Sequence, residues 1–166
     1  MSEQPTPAKF PLRVLFLCTH NSSRSQMAEG LLRARGGSAF EVFSAGTEPR
    51  TVHPLAIKAM QELGIDISDQ TAKGIEAFAT EPAMDLVVTV CYEAQETCPY
   101  FPNARRQVHW GFPDPSRVTG SEAERLAAFR HIRDLIAAKI DQFLERKPTL
   151  SFEQLYAAAR AEEQQA

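Results

Sequence analysis

The stretch "RVLFLCTHNSSRSQMAEGLLRARGG", residues 13–37, constrains the fold more than any other part of the chain. Its first six residues, "RVLFLC", form a short apolar run of the kind that makes a buried strand. From Ser25 onward the spacing is helical: Met27, Leu31 and Leu32 share a face, and Gly36 and Gly37 end it. "FEVFSAG" (40–46) follows as a second strand. Strand, helix and strand in this order make a βαβ unit, whose parallel crossover is almost always right-handed. The polar stretch "CTHNSSRS" therefore joins the C-terminal end of a parallel strand to the N-terminus of a helix, the place where open α/β sheets bind ligands.

The rest of the chain continues the alternation. "HPLAIKAMQELG" (53–64) predicts a helix, with Pro54 in its first turn and Gly64 at its exit. "MDLVVTVC" (84–91) is the clearest strand and "RRQVHW" (105–110) a weaker one. Residues 121–147 open on a capping-box pattern, Ser121 to Glu124, and repeat apolar residues with a helical period. Beyond Pro148, Phe152, Leu155, Tyr156 and Ala159 fall on one face of a short extra helix that docks on the core or on a partner. The pattern is that of a single α/β domain with a mostly parallel sheet. Its expected parts are a flexible segment 1–11, a domain 12–147 and a helical extension 148–166.

At 166 residues the chain buries a core large enough to fold without disulfides. A net charge of −3 argues against a broad nucleic-acid footprint, so any anion site is local. The polar, proline-broken start "MSEQPTPAKFPLR" lacks the apolar core of a signal peptide, and no apolar run approaches the ~20 residues of a membrane span. A cytoplasmic, monomeric protein is expected. In a reducing compartment an odd set of three cysteines favours catalytic, redox or metal roles over a structural framework. His20, His53, His109 and His131 are scattered and no Cys-x2-Cys pair occurs, so no metal site is expected.

The chemistry concentrates in three places. In the first loop, backbone N–H groups of Thr19, His20, Asn21, Ser22, Ser23, Arg24 and Ser25 and the positive helix end suit an oxyanion, and the Arg24 guanidinium adds a planar fork. The same field favours a thiolate at Cys18, to which Ser25 can donate its hydroxyl. In "WGFPDPS" (110–116), Pro115 holds Asp114 extended, so that its carboxyl can project toward a departing oxygen instead of capping the next helix. In "CYEAQETC", Cys91 ends a strand and Cys98 lies seven residues on. Were the intervening segment helical, their Cα atoms would be roughly 10.5 Å apart, beyond the ~7 Å a disulfide tolerates. We hypothesise that bonding the two distorts or unwinds the segment.

These motifs resemble the thioredoxin-coupled arsenate reductases, built on the low-molecular-weight tyrosine phosphatase fold. "VLFLCTHNSSRSQMAEGLLR", "FSAGTEP", "GIDIS", "VVTVCYEAQETCP" and "HWGFPDPS" carry the resemblance, in that order, over roughly residues 12–145. It implies a three-layer sandwich around a four-stranded parallel sheet and a relay of three thiols. Cys18 attacks arsenate held by the loop and Arg24, with Asp114 assisting departure of hydroxide or water. Cys91 then attacks Cys18 and expels arsenite, and Cys98 attacks Cys91. The resulting disulfide is reduced by thioredoxin, with no tightly bound cofactor; phosphate and sulfate would compete with arsenate.

The resemblance also implies a potassium site behind the loop, where Asn21, Glu29 and Ser44 fall in the ligand positions and Lys73 stands in place of an aspartate. Lys73 either takes the cation's role beside Glu29, which argues against potassium, or is a solvated lysine at a helix start. Position 23 is serine where some relatives carry another cysteine, and His20 either tunes the thiolate or faces solvent, the latter being the preferred reading. Two other readings of the chain remain at this point. One is a low-molecular-weight phosphatase whose extra thiols protect it from oxidation, and the other a non-enzymatic thiol protein that binds arsenite or a metal.

Overall fold

The computed structural model describes residues 9–80, 82–92 and 96–163. β1 (Leu12–Cys18) is buried at every position but Arg13, as a central parallel strand must be. β2 (Phe40–Gly46) flanks it on one side and β3 (Leu86–Thr89) on the other, and β4 (Gln107–His109) lies beyond β3. The order is β2-β1-β3-β4 and every pairing is parallel. Register pairs Cys18 with Gly46, Leu17 with Thr89 and Thr89 with His109, so the C-terminal ends of all the strands meet at one edge.

Alternation along β1 divides the core. Val14, Phe16 and Cys18 face a large cluster that includes Met27 and Leu31 of α1 (Arg24–Gly36), Leu55 and Met60 of α2 (Pro54–Gln61), and Phe129 and Ile136 of α3 (Glu122–Glu145). Leu15 and Leu17 face the other way, onto Val87, Phe78 and Phe101. The three layers expected from the sequence are thus present, although the second face is covered by a short 3-10 helix, Ile75–Phe78, and connecting segments. No helix of the described residues is long and apolar enough to cross a membrane.

Local signals act as their chemistry dictates. Ser121 Oγ accepts from the Glu124 amide at 3.1 Å while Glu124 Oε1 accepts from the Ser121 amide at 3.4 Å, which completes the capping box of α3. α2 starts at Pro54 and is capped by His53, whose Nδ1 accepts from the Leu55 amide at 3.1 Å. The extension forms α4 (Phe152–Glu163) and docks on this chain's own core: Leu155 and Ala159 are fully buried, Trp110 Nε1 donates to the Ala159 carbonyl at 2.9 Å, and Glu163 Oε2 accepts from the His109 amide at 2.9 Å. Residues 1–8 of the segment expected to be flexible lie outside the described residues.

Two contacts have testable consequences. At the end of β2 a Cβ on Gly46 would sit 2.5 Å from the Thr19 carbonyl oxygen and 2.8 Å from the Asn21 nitrogen, so only glycine lets the first loop pack against the strand. Gly46→Ala is expected to cost about 1–3 kcal/mol in urea unfolding, as forced overpacking does, because the backbone that must yield is that of the loop. Between α2 and α3, Glu62 accepts from Arg130 at 2.6 Å and from Arg133 at 2.8 Å. Arg130 foremost, then Arg133, hold its carboxyl down to about 2 from an ordinary value of 4.5. The folded state thus binds this proton less readily than the unfolded chain, and the stabilisation present above pH 4.5 is lost as pH falls toward 2. Glu62→Gln should unfold at lower urea than the wild type at pH 7, with the difference shrinking between pH 4.5 and 3.

Candidate active site

The first loop is shaped from behind by the segment that follows β2. The amides of Glu48, Arg50 and His53 donate to the carbonyls of Thr19, His20 and Ser22 at 2.8, 2.9 and 3.0 Å. With these carbonyls turned back, the loop's own N–H groups are left on the concave side, where an anion would sit. Asn21 adopts a left-handed conformation at φ 48° to make the turn. Its side chain is locked: Oδ1 accepts from the Lys73 amide at 2.8 Å and from Gln26 Nε2 at 3.0 Å, and Nδ2 donates to Ser25 Oγ at 2.8 Å.

Cys18 lies at the base of this cradle, 2 % exposed and not in a disulfide. Its Sγ accepts from the Asn21 amide at 3.2 Å and stands 2.9 Å from Ser25 Oγ. With the Ser25 oxygen already accepting from Asn21, its hydroxyl proton is directed to the sulfur, the partner expected from the sequence. Above the loop is a cavity of about 320 Å³ lined by Cys18, Arg24, His20 and Asp114, together with Arg50, Thr51 and His53. His20 is therefore half-buried at the cavity wall, with Nδ1 3.1 Å from the Glu48 carbonyl, and does not simply face solvent. The loop after β2 is legible only in part: "FSAGTEP" shares the family pattern, but nothing in "RTVH" marks Arg50, Thr51 or His53 as cavity wall. Burial holds the His53 imidazole below its usual value, Arg125 adds to the effect and Asp114 opposes it.

Arg24 is 3 % exposed and surrounded by acceptors. Nη1 donates to the Phe112 carbonyl at 3.0 Å and lies 2.6 Å from Glu96 Oε1, and Nη2 lies 3.7 Å from Asp114 Oδ2. Nε is buried with no partner among the described residues, as is Thr19 Oγ1. An unsatisfied buried donor costs about 1–3 kcal/mol, which an oxyanion in the cradle would recover. Asp114 has the extended backbone expected before proline, φ −80° and ψ 112°. Contrary to expectation, its carboxylate also caps the following turn: Oδ1 accepts from the Ser116 amide at 2.9 Å and hydroxyl at 2.7 Å, and Oδ2 is the oxygen nearer Arg24.

Cys91 and Cys98 form a disulfide with Cα atoms 5.7 Å apart. That separation is about half the roughly 10.5 Å that seven helical residues would span; residues 93–95 lie outside those described. Cys91 is fully buried in the same cluster as Cys18, and Cys98 is partly exposed at its edge. A ring nitrogen of His109 stands within 4.8 Å of both sulfurs. Histidine spacing carries no sign of this, because the approach depends on the β3–β4 register. While the sulfurs are bonded to each other they offer no thiolate to a metal. Glu96 was equally invisible, since nothing in "CYEAQETC" marks an acid that reaches back to α1.

Of the four residues of the cation position, Glu29, Ser44 and Lys73 come together, while Asn21 joins them only by accepting from the Lys73 amide. Glu29, buried, accepts from Ser44 Oγ at 2.5 Å and from Arg33 Nη2 at 2.6 Å, and Lys73 Nζ is 4.0 Å away. Lys73 Nζ donates to the Thr71 carbonyl, and burial lowers its pKa although Glu29 opposes that. Arg33, which sequence reading passed over, is thus the closer cation to Glu29, and Lys73 stands at the limit of an ion pair.

The low molecular weight phosphotyrosine protein phosphatase family model matches residues 13–155. Arsenate reductases of Halalkalibacterium halodurans and Bacillus subtilis are 48% and 46% identical to this chain over 132 residues, covering 80% of it and 94% of each relative. Among solved structures, an arsenate reductase in the phosphate binding state superposes with a TM-score of 0.67 at 33% identity, covering 81% of this chain and 97% of that one. A thioredoxin-dependent arsenate reductase of Corynebacterium glutamicum gives 0.58 at 29% identity over 82% of this chain and 62% of its own. The chain belongs to the low molecular weight phosphotyrosine protein phosphatase family, alongside members named arsenate reductase.

Proposed function

We propose that this protein reduces arsenate to arsenite through Cys18, Cys91 and Cys98, with thioredoxin as the reductant. The observation that carries the reading is the redox arrangement itself: a Cys91–Cys98 disulfide beside an unbonded Cys18 in an oxyanion cradle, which is the state such a relay reaches at its end. The first bond is between the Cys18 thiolate and arsenic, formed with arsenate held by the loop amides and Arg24. Asp114 donates the proton that lets an arsenate oxygen leave as water. Cys91 thiolate then attacks Cys18 Sγ; the S–As electron pair stays with arsenic, which departs as arsenite, and a Cys18–Cys91 disulfide forms. Cys98 thiolate attacks Cys91, Cys18 leaves as thiolate, and the Cys91–Cys98 disulfide holds the two-electron oxidation. A thioredoxin dithiol reduces it by the same exchange. Cys98 is the sulfur with solvent access and the one an external thiolate can reach.

The cradle, Arg24 and Asp114 equally suit an aryl phosphate, so thiol variants separate reduction from hydrolysis. In a thioredoxin-coupled assay of NADPH consumption with arsenate, Cys18→Ser should be inactive and Cys91→Ser should release no arsenite. Cys98→Ser should stop after one equivalent with a Cys18–Cys91 disulfide. Hydrolysis of an aryl phosphate should survive in the last two. Sustained arsenate turnover by Cys91→Ser or Cys98→Ser would eliminate the relay. With Glu29 already paired to Arg33 and near Lys73, adding potassium should leave kcat/KM for arsenate unchanged, whereas Lys73→Asp should make it respond to potassium; a strong response of the wild type would show that a metal cation, and not Arg33 and Lys73, serves Glu29.

A further inference from the structure

We infer that Glu96 is an internal counter-ion of Arg24, held on the guanidinium by the Cys91–Cys98 disulfide, so that the oxidised protein binds an oxyanion more weakly than the reduced protein does. The inference takes its biological meaning from the relay proposed above, but its physical content concerns anion binding alone.

The contact is close and buried. Glu96 Oε1 lies 2.6 Å from Arg24 Nη1, and the side chains are 10 % and 3 % exposed. Where water is largely excluded, a carboxylate at that distance neutralises the fork an oxyanion needs. A dianion would bring its charge up against the Glu96 carboxylate, a like-charge penalty that the loop amides must first overcome.

The relay segment aims Glu96 there. Within the ring closed by the disulfide, the Glu96 amide donates to the Tyr92 carbonyl at 3.0 Å and the Tyr92 amide donates to Glu96 Oε1 at 3.1 Å. This reciprocal pair bridges the segment just inside the bonded cysteines, whose Cα atoms are 5.7 Å apart. Reduction removes the covalent closure around the Tyr92–Glu96 pair, and with it the constraint that keeps the carboxylate on Arg24. Binding and redox state are then linked, and the link is reciprocal: an oxyanion that prefers the dithiol protein makes the disulfide easier to reduce. Product and substrate chemistry are thereby ordered, because arsenate binds more tightly when Cys91 and Cys98 are able to complete its reduction.

The test uses inorganic phosphate as the probe and the full chain in both redox states, with thiol titration verifying each. Wild-type protein should bind phosphate at least about tenfold more weakly as the disulfide than as the dithiol, within the usual range of coupling between sites. In Glu96→Gln and Glu96→Ala this ratio should fall toward unity because the oxidised form tightens. The disulfide potential of the wild type should rise by about 30 mV for each tenfold preference when phosphate is saturating, and that of the variants should not move. Equal phosphate affinity of the two wild-type forms, with no shift in potential, would overturn the inference. So would variants that bind phosphate more weakly in both states, the result expected if Glu96 merely positions Arg24. None of these measurements requires arsenate turnover, so failure of the relay and failure of the Glu96 contact are read separately.

Discussion

The fold converges on one buried cation. Arg24 begins α1, yet its guanidinium is held by groups from the Cys91–Cys98 segment and the Phe112–Asp114 loop as well as facing the cradle of its own loop. A charge this deep is tolerable only when it is paired and hydrogen-bonded. Satisfying it therefore fixes how the loops after β1, β3 and β4 lie against one another at the strand ends. The parallel sheet supplies the edge, and the guanidinium supplies the reason for the loops to meet there.

The same economy of position explains the cradle. An anion site made of backbone N–H groups needs its carbonyls disposed of elsewhere, and here the Glu48–His53 stretch takes them. Gly46 permits the approach, Asn21 makes the left-handed turn, and Ser25 and Asn21 between them deliver donors to the Cys18 sulfur. Behind the loop, Glu29 with Ser44, Arg33 and Lys73 forms a second, separate ionic cluster that ties α1 to β2.

Much of this was legible in the residues. β2 occupies the span its sequence suggests, and the capping box at Ser121 and Glu124 starts α3 where the pattern places it. Strands at 84–91 and 105–110 shorten to Leu86–Thr89 and Gln107–His109, because the outer residues make single bridges such as Met84 to Ala104 and not a continuing ladder. Cys18, Arg24 and Asp114, which line one cavity, stand out in the sequence because strand-to-helix junctions and an Asp-Pro loop have local signatures. Glu96, His109, Arg50 and His53 were missed because each reaches the site through tertiary register. Nothing near them in the chain differs from a solvated acid, a strand-end histidine or a loop. Asp114 was half understood: proline set its backbone, but Ser116 offered a nearby donor that took one carboxylate oxygen.

The docking of α4 reaches further than packing. Glu163 grips the His109 amide and Ala159 takes the Trp110 indole, so the last helix is anchored to the two residues that lead from β4 into the Asp114 loop. Mechanical tension on that end of the polypeptide, from a fused carrier or an immobilising surface, would be transmitted straight to the acid and to the histidine beside the disulfide. Tethering through the opposite end leaves that linkage slack.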